Sequence, residues 1–79
     1  MHAWEKGFDV NLDGRGPRTV SSTHQAAEFL LHRWPVKKGK AYMRAKFACL
    51  YALEGNESDE VARRAFIDAA DEADIAIRN

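Results

Sequence analysis

Three histidines, one cysteine and a run of carboxylates are the side chains of this 79-residue sequence that could do acid–base, nucleophilic or metal chemistry. His24 and His32 stand eight positions apart, which is about 12 Å along a helix axis. One metal ion could not join them without a ligand from a second element. His2 belongs to the N-terminal end, and His32 suits the last turn of a helix, where the dipole favours a partly protonated ring. Cys49 is surrounded in a helical projection by Ala45, Ala48, Leu50 and Leu53, with Lys46 on another face. A reactive thiolate needs exposure and a nearby positive charge, so Cys49 reads as a buried structural residue. Asp68, Asp71 and Glu72 have the spacing of a solvated helix face. Gly14, Gly16 and Pro17 lack the lysine and the following helix that a phosphate loop requires. The residues predict no catalytic centre, no metal site and no cofactor.

Two surface clusters remain. Arg33, Lys37, Lys38, Lys40 and Arg44 crowd a glycine-containing turn between two helical stretches, an arrangement that superficially resembles a helix-turn-helix. A recognition helix needs a polar face for base edges, whereas the second stretch offers chiefly Lys40, Arg44, Phe47, Tyr51 and Glu54. The formal net charge is zero, unlike the basic footprint of most nucleic-acid-binding domains. Nucleic-acid contact through residues 33–44 is therefore the secondary expectation. The Lys40–Arg44–Phe47–Tyr51–Glu54 face is the primary one: its two rings either enter the core or meet another protein. Ile67 and Ile75, on the polar side of the last helical stretch, join Phe47 and Tyr51 as candidate contact residues.

The elements that must position these residues follow from periodicity. Trp4, Phe8, Val10 and Leu12 alternate with polar residues, as in a strand with one buried face, and only Lys6 breaks the pattern. Asp13-Gly14 and Gly16-Pro17 signal a turn, and residues 18–21 return as a second strand, so a hairpin is predicted over about 4–21. Residues 1–3 are expected to be disordered. Ser22-Thr23-His24-Gln25 has the form of a capping box, opening a helix over 22–34 that buries Ala27, Leu30, Leu31 and Trp34 and stops at Pro35. A second helix covers 40–54, with Gly55 as its stop. A third covers 58–78, capped by Asn56 or Ser58, with Asp59 and Glu60 at the positive end of its dipole.

The third helix carries an apolar stripe of Ala62, Ala65, Phe66, Ala69, Ala70, Ala73, Ala76 and Ile77. Side chains this small become buried only against a neighbour that comes close. Ala41, Ala45, Ala48 and Ala52 form a matching ridge on the second helix. The predicted fold is a single α+β domain over 1–79, ordered ββααα, with the helices as a small antiparallel layer against the hairpin.

Charge is segregated along the chain. Residues 23–54 carry six bases and two acids, for +4, and residues 55–79 carry seven acids and three bases, for −4. That division suits docking of one segment on the other, within or between chains. A core this small benefits from self-association. The single cysteine precludes an intrachain disulfide, and no apolar run is long enough to span a bilayer. A cytoplasmic protein with no membrane role is expected.

Several separated pieces also resemble a family of small bacterial proteins known as domain of unknown function 982. They are Arg18-Thr19-Val20-Ser21 leading to Ala26-Ala27, Leu30-Leu31, Trp34-Pro35, Gly39, Ala45, Cys49, Ala52-Leu53, Ala62-Arg63 and the run from Ala65 to Ala73. The resemblance covers the chain from about Phe8 onward. It implies a stand-alone bacterial domain and carries over no activity, ligand or functional residue. Most of these positions have packing, capping or turn roles; packing alone does not explain Arg63, and an ion pair with the preceding turn or with an acid on a neighbouring helix is expected for it. The leading expectation is a non-enzymatic accessory module that works by protein contact and forms a homo-oligomer. A nucleic-acid-binding or regulatory module is the first alternative. A small-ligand binder, with a pocket built around His24, Asp9 or Arg63, is the second.

Overall fold

Residues 2–11 and 16–78 are described in the computed structural model of the chain. The alternating N-terminal segment forms strand β1 (Ala3–Asn11), which buries Trp4, Phe8 and Val10 and leaves Lys6 exposed. It pairs antiparallel with β2 (Arg18–Ser22). The start of β1 lies within the stretch expected to be disordered. The Thr23 amide donates to the His2 carbonyl at 2.9 Å and ties that end down. Leu12 and the Asp13-Gly14 turn lie outside the described residues.

Register explains the misplaced Lys6. Ala3 pairs with Ser22 but Phe8 pairs with Val20, so five steps along β1 oppose two along β2. This bulge lets Trp4 and Phe8 both face the core without strict alternation between them. Gly7 sits in the bulge, where a β-carbon would lie 2.7 Å from the Val20 carbonyl oxygen.

Ser22 caps helix α1 (Thr23–Glu28), its hydroxyl accepting from the Gln25 amide at 3.1 Å. The Gln25 side chain accepts from the Ser21 amide at 2.8 Å, one residue earlier than a standard box. A wide π-helical turn, Phe29–Arg33, continues the helix until Trp34 adopts an extended conformation before Pro35. The π turn changes which side chains face inward. Phe29 is buried with Leu30 and Trp34, whereas Leu31, expected in the core, is half-buried. The Leu30 carbonyl accepts from the buried Tyr42 hydroxyl at 3.0 Å, and the Leu31 carbonyl accepts from Lys37 Nζ at 2.9 Å.

Helix α2 (Lys40–Leu53) packs along α3 (Asp59–Glu72), and this is the most extensive contact between helices. Ala45, Ala48 and Ala52 are buried on α2, and Ala62, Ala65, Ala69 and Ala70 on α3, so the expected small-residue ridges are the packed faces. Helix α2 has no side-chain cap of its own, since Gly39 occupies that position. Glu72 supplies the cap from the end of α3, one carboxylate oxygen accepting from the Ala41 amide at 3.2 Å and the other from the Tyr42 amide at 3.1 Å. A side chain on Gly39, whose φ is 115°, would collide with that carboxylate. Glu72 is thus a cap across the helix pair rather than part of a purely solvated acidic face. Glu72→Ala is expected to cost about 1 kcal/mol, read as a lower urea midpoint with an unchanged slope. Glu72→Gln, which keeps one acceptor oxygen, should recover part of the loss.

Helix α3 begins at its Ser58 cap, as one of the two expected residues, with the Ser58 hydroxyl accepting from the Val61 amide at 3.1 Å. It ends at Glu72, well short of the predicted residue 78. Asp74 takes a left-handed φ of 59°, and the Ile75 amide returns to the Ala70 carbonyl at 2.8 Å while the Asp74 amide bonds Asp71 at 3.2 Å. These two bonds are a Schellman stop, here formed without glycine. Gly55, Asn56 and the carbonyls of Ala52 and Tyr51 close α2 in the same way.

After the stop, the chain forms a third strand, β3 (Ala76–Arg78), paired antiparallel with β1 through Asp9↔Arg78, Val10↔Ile77 and Asn11↔Ala76. The sheet order is β2-β1-β3. The fold is α+β, with a three-stranded antiparallel sheet in place of the expected lone hairpin. Phe66 is the hinge of the core. Its ring lies 5.6 Å from Phe8, 6.4 Å from Trp4 and 5.3 Å from Trp34, and so joins the sheet to the residue that closes the π turn.

Candidate protein-contact face

Helix α2 has two unlike faces. Tyr42, Ala45, Ala48, Cys49 and Ala52 point into the molecule. On the opposite side Met43, Phe47 and Tyr51 are 40%, 44% and 50% exposed. Phe47 and Tyr51 stack on each other with centroids 6.2 Å apart, and Lys46 Nζ lies 5.9 Å from the Phe47 ring centre. Core packing is therefore not the role of these two rings, the first of the two alternatives open from sequence. Four residues apart on one helix, they keep each other partly dry and leave their outer surfaces to solvent.

The other two candidate contact residues behave differently. Ile75 is buried, because the Schellman stop turns it inward, and so it does not belong to a surface. Ile67 is half-buried and packs against the core. Met43 takes a place on the exposed face, and its i, i+4, i+8 relation to Phe47 and Tyr51 was the available signal.

The basic cluster is divided among the π turn, the connection after it and α2. Lys37 is held by the Leu31 carbonyl, and the Arg33 guanidinium lies 6.0 Å from the Phe29 ring centre. Lys38 lines a groove with Trp34, Val36, Glu72 and Asp74. Only Lys40 and Arg44 stand on the α2 helix itself. His24, Asp9 and Arg63 do not converge on one pocket: Asp9 accepts from the Thr19 hydroxyl at 2.8 Å within the sheet. Arg63 forms neither of its expected ion pairs among the described residues. Its Nε donates to the Lys6 carbonyl at 3.0 Å, and its guanidinium lies 5.3 Å from the Phe8 ring centre. Arg63 thereby satisfies a carbonyl within the β1 bulge, a role visible only once the register is known.

A polar chain, buried at Trp4 and Thr23 and part-buried at Asp59 and His2, joins the N-terminal strand to α1 and α3. Trp4 Nε1 donates to the Thr23 hydroxyl at 3.0 Å, and that hydroxyl donates to Asp59 at 2.6 Å. Asp59 also accepts from His2 Nδ1 at 3.0 Å. The Thr23 hydrogen bond, with His2 adding to it, holds the Asp59 carboxyl below the usual carboxylate range despite some opposing desolvation. A carboxyl depressed in the folded state contributes stability above its unfolded pKa, and that contribution is lost as pH falls through the folded value. Asp59→Asn is therefore expected to destabilise at neutral pH, with the gap to the parent protein closing as pH drops below about 4. Thermal melts across that range check it. Cys49 is buried, and burial followed by the nearby Asp59 charge pushes its thiol up to about 12. It has neither the access nor the thiolate character of a nucleophile. Among the described residues no three His, Cys, Asp or Glu side chains are grouped to hold a metal ion, and no helix is long and apolar enough to cross a membrane.

The architecture and this face define a small α+β domain with an exposed aromatic helix surface. Residues 7–77 match the model of the family described as "Protein of unknown function (DUF982)", and the chain belongs to that family. Among solved structures it is similar to the NMR structure of Agrobacterium tumefaciens protein Atu1219. The two share 33% identity and a TM-score of 0.75, over 91% of this chain and 72% of the other. No curated protein matches the sequence.

Proposed function

We propose that this protein is a non-enzymatic accessory module that works by protein contact through the outer face of α2, in the reducing environment of the cytoplasm. The exposed Met43–Phe47–Tyr51 stripe carries the reading. Three large apolar side chains in one row, on a helix whose other side is fully packed, keep hydrophobic surface in water that folding has not removed. Aromatic residues and methionine are enriched in protein interfaces, while a charged rim confers orientation. Lys40, Arg44 and Glu54 provide that rim.

Co-purification from the native cell with tagged parent protein and with a Phe47→Ser/Tyr51→Ser variant tests this. The variant should lose its specific companions, including untagged copies of itself, while its thermal melt stays close to the parent's. Unchanged companions would refute the assignment to α2.

The alternative of nucleic-acid contact draws on the Phe47–Tyr51 stack beside Lys40, Arg44 and Lys46, since rings flanked by bases can stack on single strands. Lys37 bonded to the Leu31 carbonyl and Arg33 set over the Phe29 ring are already engaged within the molecule, which weighs against it. A gel shift at low salt that weakens steeply as salt rises would favour it.

A further inference from the structure

The charges on the outer face of α2 are placed against the helix they belong to. Lys40 occupies the first position, where the dipole repels a cation, and Glu54 occupies the C-terminal cap, where it repels an anion. The first turn holds no acid and the last turn no base. Neither Lys40 nor Glu54 has an ion-pair partner among the described residues.

The same face reads alike from both ends. Phe47 is the midpoint: Met43 and Tyr51 lie four residues to either side, and Lys40 and Glu54 seven. At 3.6 residues per turn, all four fall within about 40° of Phe47 around the axis. A second copy of α2 laid antiparallel, with a two-fold axis at Phe47, brings Phe47 onto Phe47, Met43 onto Tyr51, and Lys40 onto Glu54. The Phe47 pairing lies on the axis and occurs once, while the Met43–Tyr51 and Lys40–Glu54 pairings each occur twice, as an isologous interface requires. Thioether meets ring, cation meets anion, and the two helix dipoles oppose each other. The zero net charge sets no long-range repulsion between copies.

We infer that the occupant of this face is a second copy of the chain, held as an antiparallel α2–α2 dimer centred on Phe47. The inference rests on the contact-face reading above and names its partner. A single helix pair is a small interface, so association in the micromolar range is expected.

Sedimentation velocity over a concentration series, with circular dichroism to verify folding, tests it on the parent protein and four variants. Phe47→Glu should weaken dimerisation about a hundredfold, since two carboxylates would meet in the apolar centre. Lys40→Glu and Glu54→Lys should each weaken it about fivefold to tenfold, because symmetry counts every change twice. The double variant should return to within about twofold of the parent. Both charge reversals agree with the dipole of α2, so neither threatens the fold. If Phe47→Glu fails to fold, the charge reversal and its rescue decide the question alone. A parent protein that stays monomeric at millimolar concentration overturns the dimer. The broader contact-face reading then stands or falls separately on whether the Phe47→Ser/Tyr51→Ser variant loses other companions. A dimer indifferent to all four variants overturns the proposal by showing that another face is used.

Discussion

Phe66→Ala is expected to remove a large fraction of the protein's folding stability. The ring is fully buried and touches Trp4, Phe8 and Trp34, rings supplied by β1 and by the end of the π turn. Removing a buried phenylalanine costs about 3–5 kcal/mol, in lost transfer energy and in the cavity left behind. A domain of this length has only about 4–12 kcal/mol of total stability. The cavity cannot close easily, because its walls belong to β1 and to the segment that ends at Trp34, and both would have to shift. Urea unfolding followed by tryptophan emission is the appropriate measurement, since both tryptophans border the site. Phe47→Ala is the matched control: it removes the same ring from an exposed position and should cost well under about 1 kcal/mol in the monomer. Equal losses for the two variants would contradict the core assignment.

Ala45→Leu is the second change with a large expected effect, and it acts by the opposite mechanism. Ala45 is fully buried on the α2 face that meets the alanines of α3. Three added carbon atoms have no space between helices that approach through methyl groups, so the pair must separate or the leucine must leave its preferred rotamers. The expected cost is at the upper end of about 1–3 kcal/mol. Separation would also stretch the Glu72 bonds to Ala41 and Tyr42, which cap α2 only while the helices lie close. Leucine in place of the exposed Arg44 on the same helix should cost little. A melt in which Ala45→Leu is as stable as the parent would mean that the interface is not closely packed.

The parts legible in the sequence were those governed by local periodicity and by chain-terminating residues. The alanine ridges of α2 and α3, the Ser22 and Ser58 caps, the break at Trp34-Pro35 and the stop at Gly55 all follow from neighbours within a few positions. The family resemblance was legible for the same reason, since its pieces are mostly packing, capping and turn residues. Phe47 and Tyr51 could be placed on one face of α2, but not inside or outside, because an aromatic pair satisfies either environment.

The C-terminal end shows what local pattern conceals. Ala73, Ala76 and Ile77 continue the helical spacing of α3, yet the helix ends at Glu72. Asp74 accepts a left-handed conformation, Ile75 reaches the core and residues 76–78 pair with β1, whose sequence lies more than sixty positions away. Pairing with a distant strand outweighs one further helical turn, and nothing within the segment announces it. Arg63 is similar: its hydrogen bond to the Lys6 carbonyl exists because the β1 bulge puts that carbonyl beside α3.

What the chain's own order of residues settled is therefore which segments become helix or strand and which faces of α2 and α3 are small enough to touch. The three-dimensional arrangement alone decided which large side chains were left outside. Once the alanine faces of α2 and α3 close on each other, geometry commits the opposite side of α2 to solvent, and with it Met43, Phe47 and Tyr51. No residue type encodes that outcome, because burial depends on what packs nearby rather than on the side chain itself.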